Sequence, residues 1–413
     1  MHMMFPRCSG RVADGWNPRG TTRRWHSQAG TAPQNQRFLV TTLRSILTRN
    51  VVVRVALGWG AFAAVLLAGP LLSEPLPGPV LVVVLSAIVA VIVVCAFGVV
   101  TEAEHLAHRL GDPYGTLVLT LSIVLIEVIL ISAVMLGPGE HTTIARDSVM
   151  AVSMIILNLV VGVALLVGGI RHRSLRANST GVSAYLSLLV VLLVTAFFLP
   201  GLIGEGGAYT PAQAIPIIVL TLLLYGFFLL RQTGAQAADF TEPGHAEDAA
   251  APRTPIREVL AQHRTEILAR TAVLVATVLP IVLLSHDMAT LLDDGLDRLG
   301  APVALSGILI AMIVFLPETI TTVRAAFGGE MQRVSNLCHG ALVSTVGLTI
   351  PAVLTIGLLT GQTVLLAETP TDLVLLGATM LLTVATFAGR RVSAIGGSAH
   401  LMLFVVYGLT VFA

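Results

Sequence analysis

The stretch LTLSIVLIEVILISAVML, residues 119–136, decides the fold. It is close to the roughly 20 residues an α-helix needs to cross a bilayer core. Its one charge, Glu127, has no helix end near enough to reach water by snorkelling. A carboxylate at that depth costs a few kcal/mol, so it belongs inside a bundle of similar helices, where such residues mark ion and proton pathways more often than structure. The structural alternative is a protonated glutamate hydrogen-bonded between helices.

Composition agrees over the whole chain. Of 413 residues, 55% are hydrophobic and 11% charged, and the mean hydropathy is +0.87, which excludes an ordinary soluble globule. All 24 basic residues are arginine. Cys8, Cys95 and Cys338 are isolated, so neither a disulfide framework nor a thiolate metal site is expected. Residues 1–45 read as a disordered, basic cytoplasmic tail without the apolar core of a secretory signal.

Apolar windows predict an all-α polytopic membrane protein of about eleven spans. They lie near 51–71, 79–100, 113–136, 148–170, 182–203, 212–230, 267–285, 302–323, 335–359, 372–389 and 394–413. Short cytoplasmic loops should hold the arginines, and alternate loops do: Arg109, then Arg171 and Arg176, then Arg253 and Arg257, then Arg324 and Arg333, then Arg390 and Arg391. The loops between them hold only Arg146 and Arg298 among several acids. The amino terminus is thereby expected inside an inner membrane and the carboxyl terminus outside. The domains read as 1–45 tail, 46–75 first helix, 76–230 first repeat, 231–266 mixed, acidic cytoplasmic loop, and 267–413 second repeat.

The repeat rests on layout. Gly111-Asp112-Pro113 leads into the Glu127 helix, which is followed by a helix with Asn158 and Gly162. Gly300-Ala301-Pro302 leads into a helix with Glu318, followed by one with Ser344 and Gly347. If the first span is an extra, each half has five crossings, and an odd number forces the second half to be inverted. Inverted repeats place substrate at their interface near the midplane.

Glu318 lies in AMIVFLPETITTV, residues 311–323. Its neighbour Pro317 lacks an N–H and so frees the carbonyl of Ile313; Pro351 does the same for Gly347. Freed carbonyls suit hard cations, which take oxygen ligands, although either proline also reads as a simple kink. A carboxylate kept from water needs a neutralising partner, and a proton or a cation can each supply it. Glu127 and Glu318 are therefore the candidate metal ligands and proton carriers, with Asn158 and Ser344 as cation-binding candidates. Ser122, Ser132, Ser153, Ser306 and Thr345 have a weaker signal, since such hydroxyls commonly bond to backbone. His339 and His400 read as neutral, hydrogen-bonded imidazoles.

The runs EHLAHRLGDPYGTLVLTLSIVLIEVILISA (104–133), APVALSGILIAMIVFLPETITTVRAAFGGEMQRVSNL (301–337) and GSAHLMLFVVYGLTVFA (397–413) resemble the bacterial calcium/proton antiporters of the cation/calcium exchanger superfamily. The resemblance spans roughly residues 80–413 and implies eleven helices, two inverted repeats and an acidic central loop. It carries the family's two essential acids onto Glu127 and Glu318, and its small polar residues onto Asn158 and Ser344. Many relatives have Gly-Asn four and three residues before each acid, where this chain has Ile123 and Val124, and Val314 and Phe315. That pattern is similar to the branch handling sodium and potassium as well as calcium. No cofactor is expected beyond transported Ca2+, Na+ or K+ and H+. Lipid, cations and protons are the partners, with no nucleic acid, and a homo-oligomer is compatible. A channel would need a filter loop and an intramembrane enzyme a nucleophile with its base, and the sequence displays neither.

Overall fold

A backbone in lipid must satisfy its own N–H and C=O groups, and these apolar, β-branched runs do so as helices. The computed structural model describes residues 46–413 except 73–75, 111–120, 136–141, 173–174, 244–257, 259–260, 390 and 413; within 121–135 it describes 121, 124–125, 127–129, 131–132 and 135. The helices are α1 (Arg49–Leu72), α2 (Gly78–Leu110), α3 (Ile144–Arg171), α4 (Ser179–Ile203), α5 (Pro211–Thr233), α6 (Arg264–Arg298), α7 (Val303–Val314), α8 (Leu316–Gly328), α9 (Met331–Thr360), α10 (Pro370–Ala388) and α11 (Ala394–Thr410). Among the described residues there are isolated bridges but no strands.

Eight of these helices are long and apolar enough to span a membrane, nine with α7 and α8 taken as one bent span, and α11 is a shorter apolar helix. The expected third span, 113–136, lies largely outside the described residues. The tail, 1–45, lies wholly outside them. Helices α2 and α6 run well past the expected ends at 100 and 285. The α2 extension meets the start of α6 in an ion-pair network, in which Arg270 meets Glu102 at 2.9 Å and Glu266 at 3.2 Å.

The centre of the bundle is α3 and α9. In α3, 83% of the spanning window is buried and in α9 67%, against 11% in α1. Helix α3 packs on α11, and α9 on α5, while α2 lies along α6. Small residues make the first contact close: a Cβ on Gly162 would sit 3.1 Å from the Gly397 carbonyl, and one on Gly397 2.7 Å from the Gly162 carbonyl. Both central helices contain a π-helical stretch, Ile155–Val160 and Asn336–Gly340. Such stretches often accompany functional sites.

Loops gather at two ends. At one end the 3-10 turn Ala237–Phe240 of the central loop packs on α4. Phe240 is buried against Tyr185 and Phe228, and Glu242 Oε2 accepts the backbone N–H groups of Gln332 and Arg333 at 3.0 and 3.3 Å. This part of the loop is docked on the bundle. At the other end the α9–α10 loop is strapped down: Leu365 N–H donates to the Thr142 carbonyl and Leu366 and Ala367 N–H to that of Gly207.

Candidate functional site

The Glu127 stretch has two faces. Val124, Glu127, Ile131 and Met135 are buried, three or four residues apart, while Leu125 and Ile129 on the other side are exposed to where lipid would lie. Glu127 is 5% exposed, with Oε2 accepting the Thr345 hydroxyl of α9 at 2.7 Å and Oε1 buried without a partner among the described residues.

Glu318 departs from expectation in its local setting. Instead of sitting within one continuous helix, it lies in the first turn of a new one. The chain bends by 59° between α7 and α8, and Pro317, with no N–H to give, stands at the start of α8. The leading N–H groups of α8 have no acceptor within their own helix, so Glu318 sits at the positive end of the helix dipole. It is 6% exposed, and its Oε1 too is buried and unpartnered among the described residues. The two carboxylates are near enough to interact electrostatically, and Glu318 also feels Cys338 of α9, whose thiol is hydrogen-bonded with Thr322. Ile313 is at the end of α7, where the Phe315 N–H is directed to the Ala311 and Ile313 carbonyls.

The other candidates are buried but engaged. Asn158 donates to Thr379 Oγ1 at 2.8 Å, and its Oδ1 contacts His400 Nδ1 at 3.2 Å. Ser344 accepts from the Tyr225 hydroxyl at 3.0 Å and donates to the Gly340 carbonyl at 2.9 Å. Neither is hydrogen-bonded to Glu127 or Glu318 among the described residues. Gly347 faces α5, where a Cβ would meet the Tyr225 ring at 3.1 Å; Pro351 follows within α9. Ser153 donates back to the Val149 carbonyl at 2.7 Å, and Ser122 lies outside the described residues.

Thr345 is the residue that sequence reasoning underrated. It adjoins Ser344, and a step of one residue turns a helix by about 100°, which separates the Tyr225 side from the Glu127 side. Only knowledge of what surrounds α9 could choose between them. Among the described residues no three His, Cys, Asp or Glu side chains converge as a metal site, so a cation here would draw on the two carboxylates plus neutral oxygens.

Three comparisons bear on what this arrangement serves. The sodium/calcium exchanger protein family matches residues 80–234 and 270–413. The sodium-potassium/proton antiporter ChaA of Escherichia coli (strain K12) is 32% identical over 318 residues, which cover 77% of this chain and 86% of ChaA. The fold resembles native YfkE, with a TM-score of 0.60 at 16% identity over 88% of this chain and 99% of that one. It also resembles the H+/Ca2+ exchanger CAX, with a TM-score of 0.59 at 15% identity over 87% of each chain. On the extent of the family match and the likeness to ChaA, this multi-pass membrane protein belongs to the sodium/calcium exchanger family, whose members are secondary cation antiporters and not enzymes.

Proposed function

We propose that the chain exports Na+, K+ or Ca2+ across the bacterial inner membrane in exchange for H+, using Glu127 and Glu318 as one shared site. The observation that carries this reading is the pair of buried carboxylates, each with a bare oxygen, at the centre of an antiporter bundle. A desolvated carboxylate must be neutralised. Two protons or one divalent cation neutralise the pair, and so does a monovalent cation with one proton, whereas the empty dianion stays costly. Competition for the same oxygens then couples the two fluxes. The kinship with ChaA supports Na+ and K+ as cargo; Ca2+ rests on the sequence resemblance to calcium/proton antiporters.

Access alternates in this reading between two inverted five-helix repeats, 76–230 and 267–413, with the amino terminus inside. Its support is the matched packing of α3 on α11 and α9 on α5 about the α2–α6 pair. Asn158 and Ser344 join the cation only if their bonds to Thr379, His400 and Tyr225 open as it arrives.

The test uses inside-out vesicles with an acid interior and a pH dye. Addition of Na+, K+ or Ca2+ should dissipate the gradient for the wild type and not for Glu127→Gln or Glu318→Gln. A gradient untouched by every cation, or equally dissipated by both variants, defeats the reading.

A further inference from the structure

Most helical hydroxyls in this bundle share one arrangement, although a few meet another side chain, as Ser335 of α9 meets His339 Nδ1 at 2.9 Å. Ser344, Thr355 and Thr360 of α9 donate to the carbonyl four residues back, and so do Ser153, Thr277 and Thr383 on other helices, at 2.7–2.9 Å. That bond is always available to a helical Ser or Thr, and in an apolar interior it is the cheapest way to satisfy the hydroxyl.

Two threonines on α9 also depart from it. Thr345 turns its hydroxyl to Glu127. Thr349, fully buried, is the one buried hydroxyl among the described residues with no partner. Its back-bond would go to the Thr345 carbonyl, within the uninterrupted α-helical stretch Ala341–Thr360, and it is not made. Four residues apart, the two threonines lie one above the other on the same face. Two bare oxygens, Glu127 Oε1 and Thr349 Oγ1, thus flank the Thr345–Glu127 hydrogen bond.

We propose that the Thr349 hydroxyl is a ligand of the transported cation, placed one helical turn beyond Thr345 on the face of α9 that meets Glu127. A hydroxyl offers two lone pairs, and hard cations gather such neutral oxygens around a carboxylate. The proposal rests on the exchange reading of the Glu127 site.

The test is made on the purified full chain in liposomes, measuring proton flux against Na+, K+ and Ca2+ concentration. Thr349→Val keeps the shape of the side chain and removes its oxygen. It should raise the half-saturating concentration of the transported cation about ten-fold, the worth of one ligand bond, with the maximal rate within about two-fold. Thr349→Ser should restore the wild-type value. Binding without transport is read from the cation-induced rise in Tm, which in Thr349→Val should require about ten-fold more cation. Thr349→Ala gives the same readouts if the valine variant does not assemble. Unchanged half-saturation and unchanged cation dependence of Tm overturn the proposal while leaving wild-type exchange in place. A wild type that moves no protons with any cation overturns the exchange reading itself, and this proposal with it.

Discussion

Helices α3 and α9 occupy corresponding places and use their polar residues differently. Each is mostly buried, each holds a π-helical stretch, and each packs on the closing helix of the other half, α11 or α5. On α3 the central polar group, Asn158, ties α3 to α10 and α11 through Thr379 and His400. On α9 Ser344 makes the equivalent tie, to Tyr225 of α5, but its neighbour Thr345 reaches a carboxylate. One helix is a keystone; the other is a keystone that also meets Glu127. In a lipid-embedded bundle helices are held by close packing and by hydrogen bonds between them and not by the hydrophobic effect, so the ties of Asn158 and Ser344 serve assembly, while the Thr345 bond to Glu127 belongs to the proposed site.

The difference is open to breakage. The largest effect should come from Glu127→Gln or Glu318→Gln, since disrupting a buried, charge-balanced site costs about 3–5 kcal/mol; exchange in vesicles should fall more than 100-fold. Next is Thr345→Val, which leaves Glu127 Oε2 without its donor. Losing that bond costs about 1–3 kcal/mol, and the half-saturating cation concentration should rise about ten-fold with assembly intact. Asn158→Leu should act the other way, lowering thermal stability by about 1–3 kcal/mol while half-saturation shifts less than in Thr345→Val. Should Asn158→Leu instead weaken cation affinity at unchanged stability, the contrast between the helices disappears.

The smallest effect concerns how the central helices begin. The first turn of α9 is capped by the Glu242 carboxylate from the central loop. That of α3 presents Arg146, which meets Asp147 at 2.8 Å, the Ala367 carbonyl at 3.1 Å and Glu368 at 3.6 Å. Glu368, 8% exposed, has one bare oxygen. Burial pushes its carboxyl from the ordinary 4.5 up to about 7, with Arg146 pulling down, Asp372 and Asp147 adding to the rise, and the Thr369 N–H opposing it. The folded state thus holds this proton more tightly than the unfolded chain. Stability from Glu368 is complete below about pH 4.5 and is lost as pH rises through about 7. Thermal unfolding of Glu368→Gln should therefore lose less stability than the wild type between pH 5 and 8. Equal slopes would mean that the strap does not titrate there.

Much of this was legible in the primary structure because lipid imposes a coarse code: length and apolarity announce a span, and an isolated Glu127 or Glu318 announces burial. Ten of the expected spans have helical counterparts among the described residues, and both acids are buried. The code says nothing about angle. It could not tell that Pro317 would start a new helix and not kink an old one, because that depends on whether neighbours hold the bend. Nor could it choose Thr345 over Ser344, since adjacent residues differ only in the direction they face, and only the packed bundle decides what stands there. Composition and spacing determined that this chain is a membrane bundle with two buried glutamates; tertiary structure decided which oxygens turn toward them, because hydrogen bonds between helices are set by rotation about each helix axis.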